Sequence, residues 1–167
     1  MPVRYSRPRM HNDAVTLVSW RTRPRSFVAL MSLYESNFLR LGWLAGSHSK
    51  SGLTELNGSH RSVVREDCDL LLDVTERTPY TTTLNLTYRF EDQEFPDMGV
   101  RIYHDARLVE ALEWAGAHAN GVLQALRRNA ERELDQRWAR NVMLNKWLEY
   151  CLERGHRFSP ATLIPAC

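Results

Sequence analysis

Cysteine is scarce in this chain and unpaired. Cys68, Cys151 and Cys167 are widely spaced with no CxxC pattern, which argues against a disulfide framework and a paired-thiolate zinc site. They read as free thiols in a reducing compartment, and Cys151, set in a helical pattern, as a small core hydrophobe. Long apolar runs are missing too, the longest extending over a few residues where a membrane helix needs roughly 20. The expected location is the cytoplasm, with no membrane partner. Lysine is limited to Lys50 and Lys146 among 22 basic residues, a bias that GC-rich coding accounts for. There is no GxSxG, P-loop, GxGxxG or HExxH pattern and no paired zinc spacing. His48 and His60, twelve residues apart in polar surroundings, make no ligand set, and no cofactor or metal is expected.

What remains is ordinary globular material: 167 residues, 43% hydrophobic and 25% charged, enough for one domain with a core. Its charge is uneven. Residues 1–25 hold Arg4, Arg7, Arg9, Arg21, Arg23 and Arg25 against Asp13 alone, a net of +5 inside a whole-chain +2. The body is therefore mildly acidic, which argues against a broad nucleic-acid footprint on the folded surface. Residues 1–25 read as an Arg-rich, disordered extension, residues 26–158 as a single domain and 159–167 as a tail. An Arg-rich arm can also tether nucleic acid without a fold, so that reading stays open for the extension.

Ser26 reads as an N-cap, followed by Phe27, Leu30, Met31, Tyr34, Phe38 and Leu41 at helical spacing. The pattern predicts a helix over 27–41, stopped by Gly42. Residues 46–52 read as a loop. From Asp69 the period falls to two, with Leu70, Leu72 and Val74 on one face and Thr78-Pro79 marking a turn. Tyr80, Thr82, Leu84, Leu86, Tyr88 and Phe90 then alternate with Thr81, Thr83, Asn85, Thr87 and Arg89, a strand with one buried and one wet face. Residues 91–96, with Pro96, break it. Met98 to His104 reads as a further strand, and Leu108 to Trp114 as another, with a helix as the alternative. Residues 116–130 are ambiguous, and a helix returns over 132–152. Short connections favour antiparallel pairing. The expected fold is α+β: an antiparallel sheet of four to five strands, packed on one face by an N-terminal and a long C-terminal helix.

The last helix carries an oddity. At about 100° per residue, Leu134, Leu144, Cys151 and Leu152 fall within about 60° of Leu148, yet Arg137 and Asn141 lie within about 20° of it. A buried, unpaired guanidinium costs several kcal/mol, so these side chains need polar partners. Two readings follow. One is a salt bridge from Arg137 to Asp105 or Asp73 that fixes helix against sheet. The other is an anion-binding cleft with Arg137, Asn141 and His104 as donors beside Asp105, because the planar fork of Arg binds carboxylate or phosphate through two parallel bonds. On the opposite sheet face Thr81 and Thr83, with Arg101 and Tyr103, read as a solvated surface or as a protein-docking face. His104 and Asp105, adjacent on a strand, point to opposite faces and make no triad.

Three runs carry a family resemblance: Thr78-Pro79-Tyr80-Thr81-Thr82-Thr83-Leu84, Met98 through Val100-Arg101-Ile102-Tyr103-His104-Asp105-Ala106, and Asn141 through Trp147-Leu148-Glu149-Tyr150-Cys151-Leu152. Together with Leu33, Tyr34, Glu35, Asn37 and Phe38 they resemble the YqiB-like proteins, a proteobacterial family of unknown function, over residues 27–157. Where that family carries Arg-Asp-Glu-Lys, this chain reads Leu134-Asp135-Gln136-Arg137. The resemblance implies a small cytoplasmic bacterial protein with no assigned activity. Its gene neighbourhood, near a Nudix-type hydrolase and a cyclic-nucleotide phosphodiesterase, favours a small anion or nucleotide as ligand. The functional expectation is a non-catalytic binding or accessory protein. The alternatives are a hydrolase of a small phosphate-containing metabolite, with His104 as acid–base and Arg137 as electrophile, and nucleic-acid association through residues 1–25.

Overall fold

A computed structural model describes residues 25–46, 53–90, 93–114 and 133–158. Helix α1 spans Phe27–Leu44, and its first turn is capped by the Ser26 hydroxyl, which accepts from the Ala29 amide at 3.1 Å. The helix runs through Gly42, where a stop was expected. A helical glycine costs only about 1 kcal/mol against alanine, and continuing buries Leu44 completely beside Leu41. The turn out comes instead at Ala45 and Gly46, the latter at φ +71°.

Among the described residues five strands follow: β1 Ser59–Ser62, β2 Asp69–Arg77, β3 Thr81–Phe90, β4 Gln93–Tyr103 and β5 Leu108–Trp114. All neighbouring pairs are antiparallel and the spatial order is the chain order, a meander. Residues 108–114 are thus a strand, and β4 starts at Gln93, before the expected Met98. Pro96 is accommodated by a bulge: Thr87 pairs with Asp97 and Arg89 with Glu94, so Phe95 and Pro96 together stand opposite Tyr88. A residue without an N–H is tolerated where the ladder is interrupted. Strand β1, four residues reading Ser-His-Arg-Ser, carries no period long enough to be seen in the sequence.

Helix α2 spans Glu133–Glu153. It ends in a Schellman motif: Gly155, at φ +90°, donates to the Leu152 carbonyl and His156 to that of Cys151, so the last carbonyls are satisfied. Leu144, Leu148 and Cys151 pack on Leu70, Leu72, Leu84, Leu86, Met98, Val100 and Ile102, the main core. A smaller cluster joins Leu30, Leu33 and Tyr34 of α1 to Trp138, with Leu108 against it. The helices run parallel. Successive links join Ser36 to Asn145, Arg40 to Glu149, and the Leu44 carbonyl to the Phe158 amide. The expected α+β architecture is the one observed. The ambiguous stretch 116–130, the extension through residue 24 and the tail from 159 lie outside the described residues.

Candidate functional site

Arg137 meets a carboxylate, but neither Asp105 nor Asp73 as expected. Its Nη1 lies 3.3 Å from Glu110 Oε1 on β5. Glu110 is 8% exposed and draws in three donors. Tyr34 of α1 donates its hydroxyl to Oε1 at 3.0 Å, and Tyr103 of β4 donates to Oε2 at 3.1 Å. Burial first, then the Glu110 charge, pushes the Tyr34 phenol up to about 12. This carboxylate ties both helices to the sheet, because β5 is wrapped on two sides: Val109 and Ala111 enter the main core while Leu108 packs on the smaller one.

Asn141 is fully buried. Its Oδ1 accepts from the Ala111 backbone amide at 2.9 Å and from Asn37 Nδ2 at 3.3 Å, and its Nδ2 donates to the Arg137 carbonyl at 2.8 Å. Asn145 donates to Asn37 Oδ1 and to Ser36. An edge strand's outward amide is thus satisfied by a helix side chain, which covers the edge. Arg137 and Asn141 stand together as expected, but with Glu110, Asn37 and Ala111 as their partners.

His104 lies elsewhere. Its amide donates to the Tyr80 carbonyl, which fixes the end of β4 against the β2–β3 turn, and its Nε2 is 2.8 Å from Thr82 Oγ1. Its Nδ1 is buried and makes no hydrogen bond. Burial, and then the charge of Arg77, hold the imidazole below its ordinary value of 6.5, so it is neutral at pH 7. His104 borders a cavity of about 320 Å³ with Thr54, Arg77, Thr78 and Pro79. Arg77 donates to the backbone carbonyls of Leu56 and Thr54, which anchors its guanidinium at the cavity wall. Asp105 is exposed and accepts from the Ala106 amide, shaping the turn into β5. The four residues expected to converge are therefore split: Arg137 and Asn141 with Glu110 and the buried amides, His104 with Arg77. Arg77 was missed because it ends a strand beside a turn, where nothing in the local pattern separates it from a solvated surface residue.

On the other sheet face, Arg101 Nε donates to Thr83 Oγ1 at 3.3 Å. Thr81 pairs with Tyr103 across the ladder. The expected docking residues do share a face, with Arg101 and Tyr103 each held by a neighbour.

A Ser–His–Asp arrangement that the sequence did not announce lies at the end of α2. His156, fully buried, has Nδ1 at 3.1 Å from Ser62 Oγ and Nε2 at 3.4 Å from Asp67 Oδ2. Ser62 is 4% exposed and its oxygen also accepts from the Arg157 amide at 3.0 Å. A nucleophile needs an open approach to substrate, and this hydroxyl is enclosed. The trio clasps the end of α2 to β1 and to the β1–β2 connection, aided by Arg154 on Asp67 at 2.9 Å. Among the described residues no group of three metal-ligating side chains comes together, and no helix is long and apolar enough to cross a membrane.

Fold and site define a small α+β domain, among the described residues a five-strand meander capped by two parallel helices, with a basic cavity beside the turn between β2 and β3. The DUF1249 family, described as protein of unknown function, matches residues 50–157, and the chain belongs to it. That span takes in all five strands and α2 but not α1, the helix that the resemblance placed at the start of the domain. No curated protein and no solved structure matches the chain.

Proposed function

We propose that this protein is a non-catalytic binding or accessory protein that accepts a small oxyanion, a carboxylate or phosphate, at the His104–Arg77 cavity. One observation carries the reading: a guanidinium, an imidazole and two threonines border one cavity whose lining, among the described residues, includes no carboxylate, the Asp105 charge acting on His104 from outside it. The anion cleft expected from the sequence keeps His104 but exchanges Arg137 for Arg77. An anion there would offset the Arg77 charge that helps hold His104 neutral, so binding raises the affinity of His104 for a proton. The hydrolase reading is supported by the cavity beside His104, but its intended electrophile, Arg137, is engaged by Glu110. Cytoplasmic residence and YqiB-like kinship belong to the same proposal, supported by the thiol usage and by the Val100–Ala106 run.

The test is a titration with phosphate, acetate and citrate, read by thermal unfolding and by the ring resonances of His104. A ligand at about 100 times its dissociation constant adds roughly 2.7 kcal/mol. The expected result is an upward shift in melting temperature and in the His104 titration midpoint; Arg77→Lys reduces both, and His104→Gln reduces the melting-temperature shift. Absence of either shift at millimolar anion overturns the reading. Nucleic-acid association through the Arg-rich extension is a second, separate proposal, supported by its net +5.

A further inference from the structure

Because α1 and α2 run parallel, both C-terminal ends arrive at the same place, and a groove of about 330 Å³ opens there between Arg40, Trp43, Glu149, Leu152, Glu153 and Arg157. The Trp43 side chain is 51% exposed. Two of the four charges are already matched within the protein. Glu149 receives Arg40 at 3.3 Å and Lys146 at 2.9 Å, which hold its carboxyl below the ordinary range.

Glu153 and Arg157 differ. Neither is ion-paired among the described residues. They stand four apart, a spacing that would join them on a continuous helix, but the chain leaves the helix between them at Gly155. Arg157 is steadied instead by donating to the His156 carbonyl at 2.6 Å. The groove thus presents one carboxylate and one guanidinium without an ion-pair partner among the described residues, with the half-exposed Trp43 and Leu152 on the same lining.

We propose that this groove binds a free apolar α-amino acid: the ammonium at Glu153, the carboxylate at Arg157, the side chain on Trp43 and Leu152. A plain anion would meet Glu153 and a plain cation would meet Arg157, so a ligand bearing both charges matches the wall best. The negative ends of two helix dipoles add to the preference for an ammonium on the Glu153 side, and an indole face favours a cation or an apolar group. This site is separate from the His104 cavity and does not depend on it.

The test uses the full chain and calorimetric titration with L-leucine and L-phenylalanine, their N-acetyl derivatives and their amides. The free amino acids bind, and each blocked form binds about tenfold more weakly, the loss expected for one charged hydrogen bond. Glu153→Gln abolishes the discrimination against N-acetyl forms only, and Arg157→Gln the discrimination against amides only. Both residues are exposed, so neither change threatens folding. No binding at millimolar free amino acid, or discrimination unchanged in both variants, overturns the proposal. Arg77→Lys leaves all of these affinities unaltered, which separates this site from the anion cavity.

Discussion

Arg137 Nη1 stands 3.3 Å from Glu110 Oε1, and the two differ in exposure: the arginine side chain is 44% exposed, the glutamate side chain 10%. The carboxylate is the hub and the arginine one of its spokes, since Tyr34 and Tyr103 donate to the same group.

Removing the hub should therefore cost more than removing the spoke. Glu110→Ala removes the carboxylate that two phenols and a guanidinium share, an expected loss of about 2–4 kcal/mol. Arg137→Ala loses a partly solvated pair worth about 1 kcal/mol or less. Urea unfolding of both variants decides, and equal losses would contradict the assignment of Glu110 as the centre.

Asn141→Ala leaves the Ala111 amide without its side-chain acceptor and Asn37 Nδ2 with only the position-141 carbonyl, at 3.4 Å. The expected cost is about 2–3 kcal/mol. Hydrogen exchange should show the Ala111 amide losing protection ahead of the central strands. Retained protection there would mean that another group covers the edge.

Acid should weaken this fold from near neutrality downward. Burial, opposed by Asp67, holds His156 below 6.5, and burial followed by Arg77 does the same for His104. As pH falls through 6.5 the unfolded chain takes up protons that the folded chain refuses, so stability drops in that window and is flat above it. Asp67, held down by Arg154 and the Cys68 amide against its burial, adds a further loss below its ordinary 3.8. At the alkaline end Tyr34 acts with the opposite sign, its stability contribution declining as pH rises from 10 toward 12. Denaturation midpoints from pH 8 to 5 give the profile, and a midpoint that rises on acidification contradicts it. His156→Gln should flatten the acid limb.

Two glycines should differ sharply on substitution. A Cβ at Gly46 would sit 2.8 Å from the Phe158 carbonyl oxygen, while one at Gly155 meets nothing within 4 Å. Both have positive φ, which costs a non-glycine residue about 1–2 kcal/mol. Gly155→Ala should show that cost alone, and Gly46→Ala more, through displacement of Phe158. Calorimetric unfolding ranks the pair, and the reverse order would reject the close approach.

Deleting residues 1–24, which spares the Arg25–Asp135 contact, tests the basic extension. The whole chain should bind single-stranded DNA with an affinity that falls steeply as salt rises, and the shortened chain should not. Equal binding by both would remove the extension as a nucleic-acid arm.

Much of the fold was legible because burial imposes period. Strand β3 has one face in the core and one outside it, so Leu84 and Leu86 alternate visibly with Thr83 and Asn85. The site was less legible for the same reason. Parity along β4 put His104 with Met98, Val100 and Ile102, and it does lie on that side, next to Thr82. Parity said nothing of Glu110, because β5 is buried from both sides and alternation no longer separates inside from outside. Arg77, Ser62 and Asp67 gain their meaning only from neighbours distant in sequence, His104 and His156. A bulge hid the start of β4, as Pro96 is a stop signal in any local pattern.

Helix α2 covers much of the sheet's apolar side. During synthesis every strand of the meander leaves the ribosome before α2 does, so leucines destined for the interior stay uncovered until α2 itself has emerged. A prematurely terminated polypeptide lacking α2 would therefore present a greasy surface to chaperones and proteases, marking it for disposal.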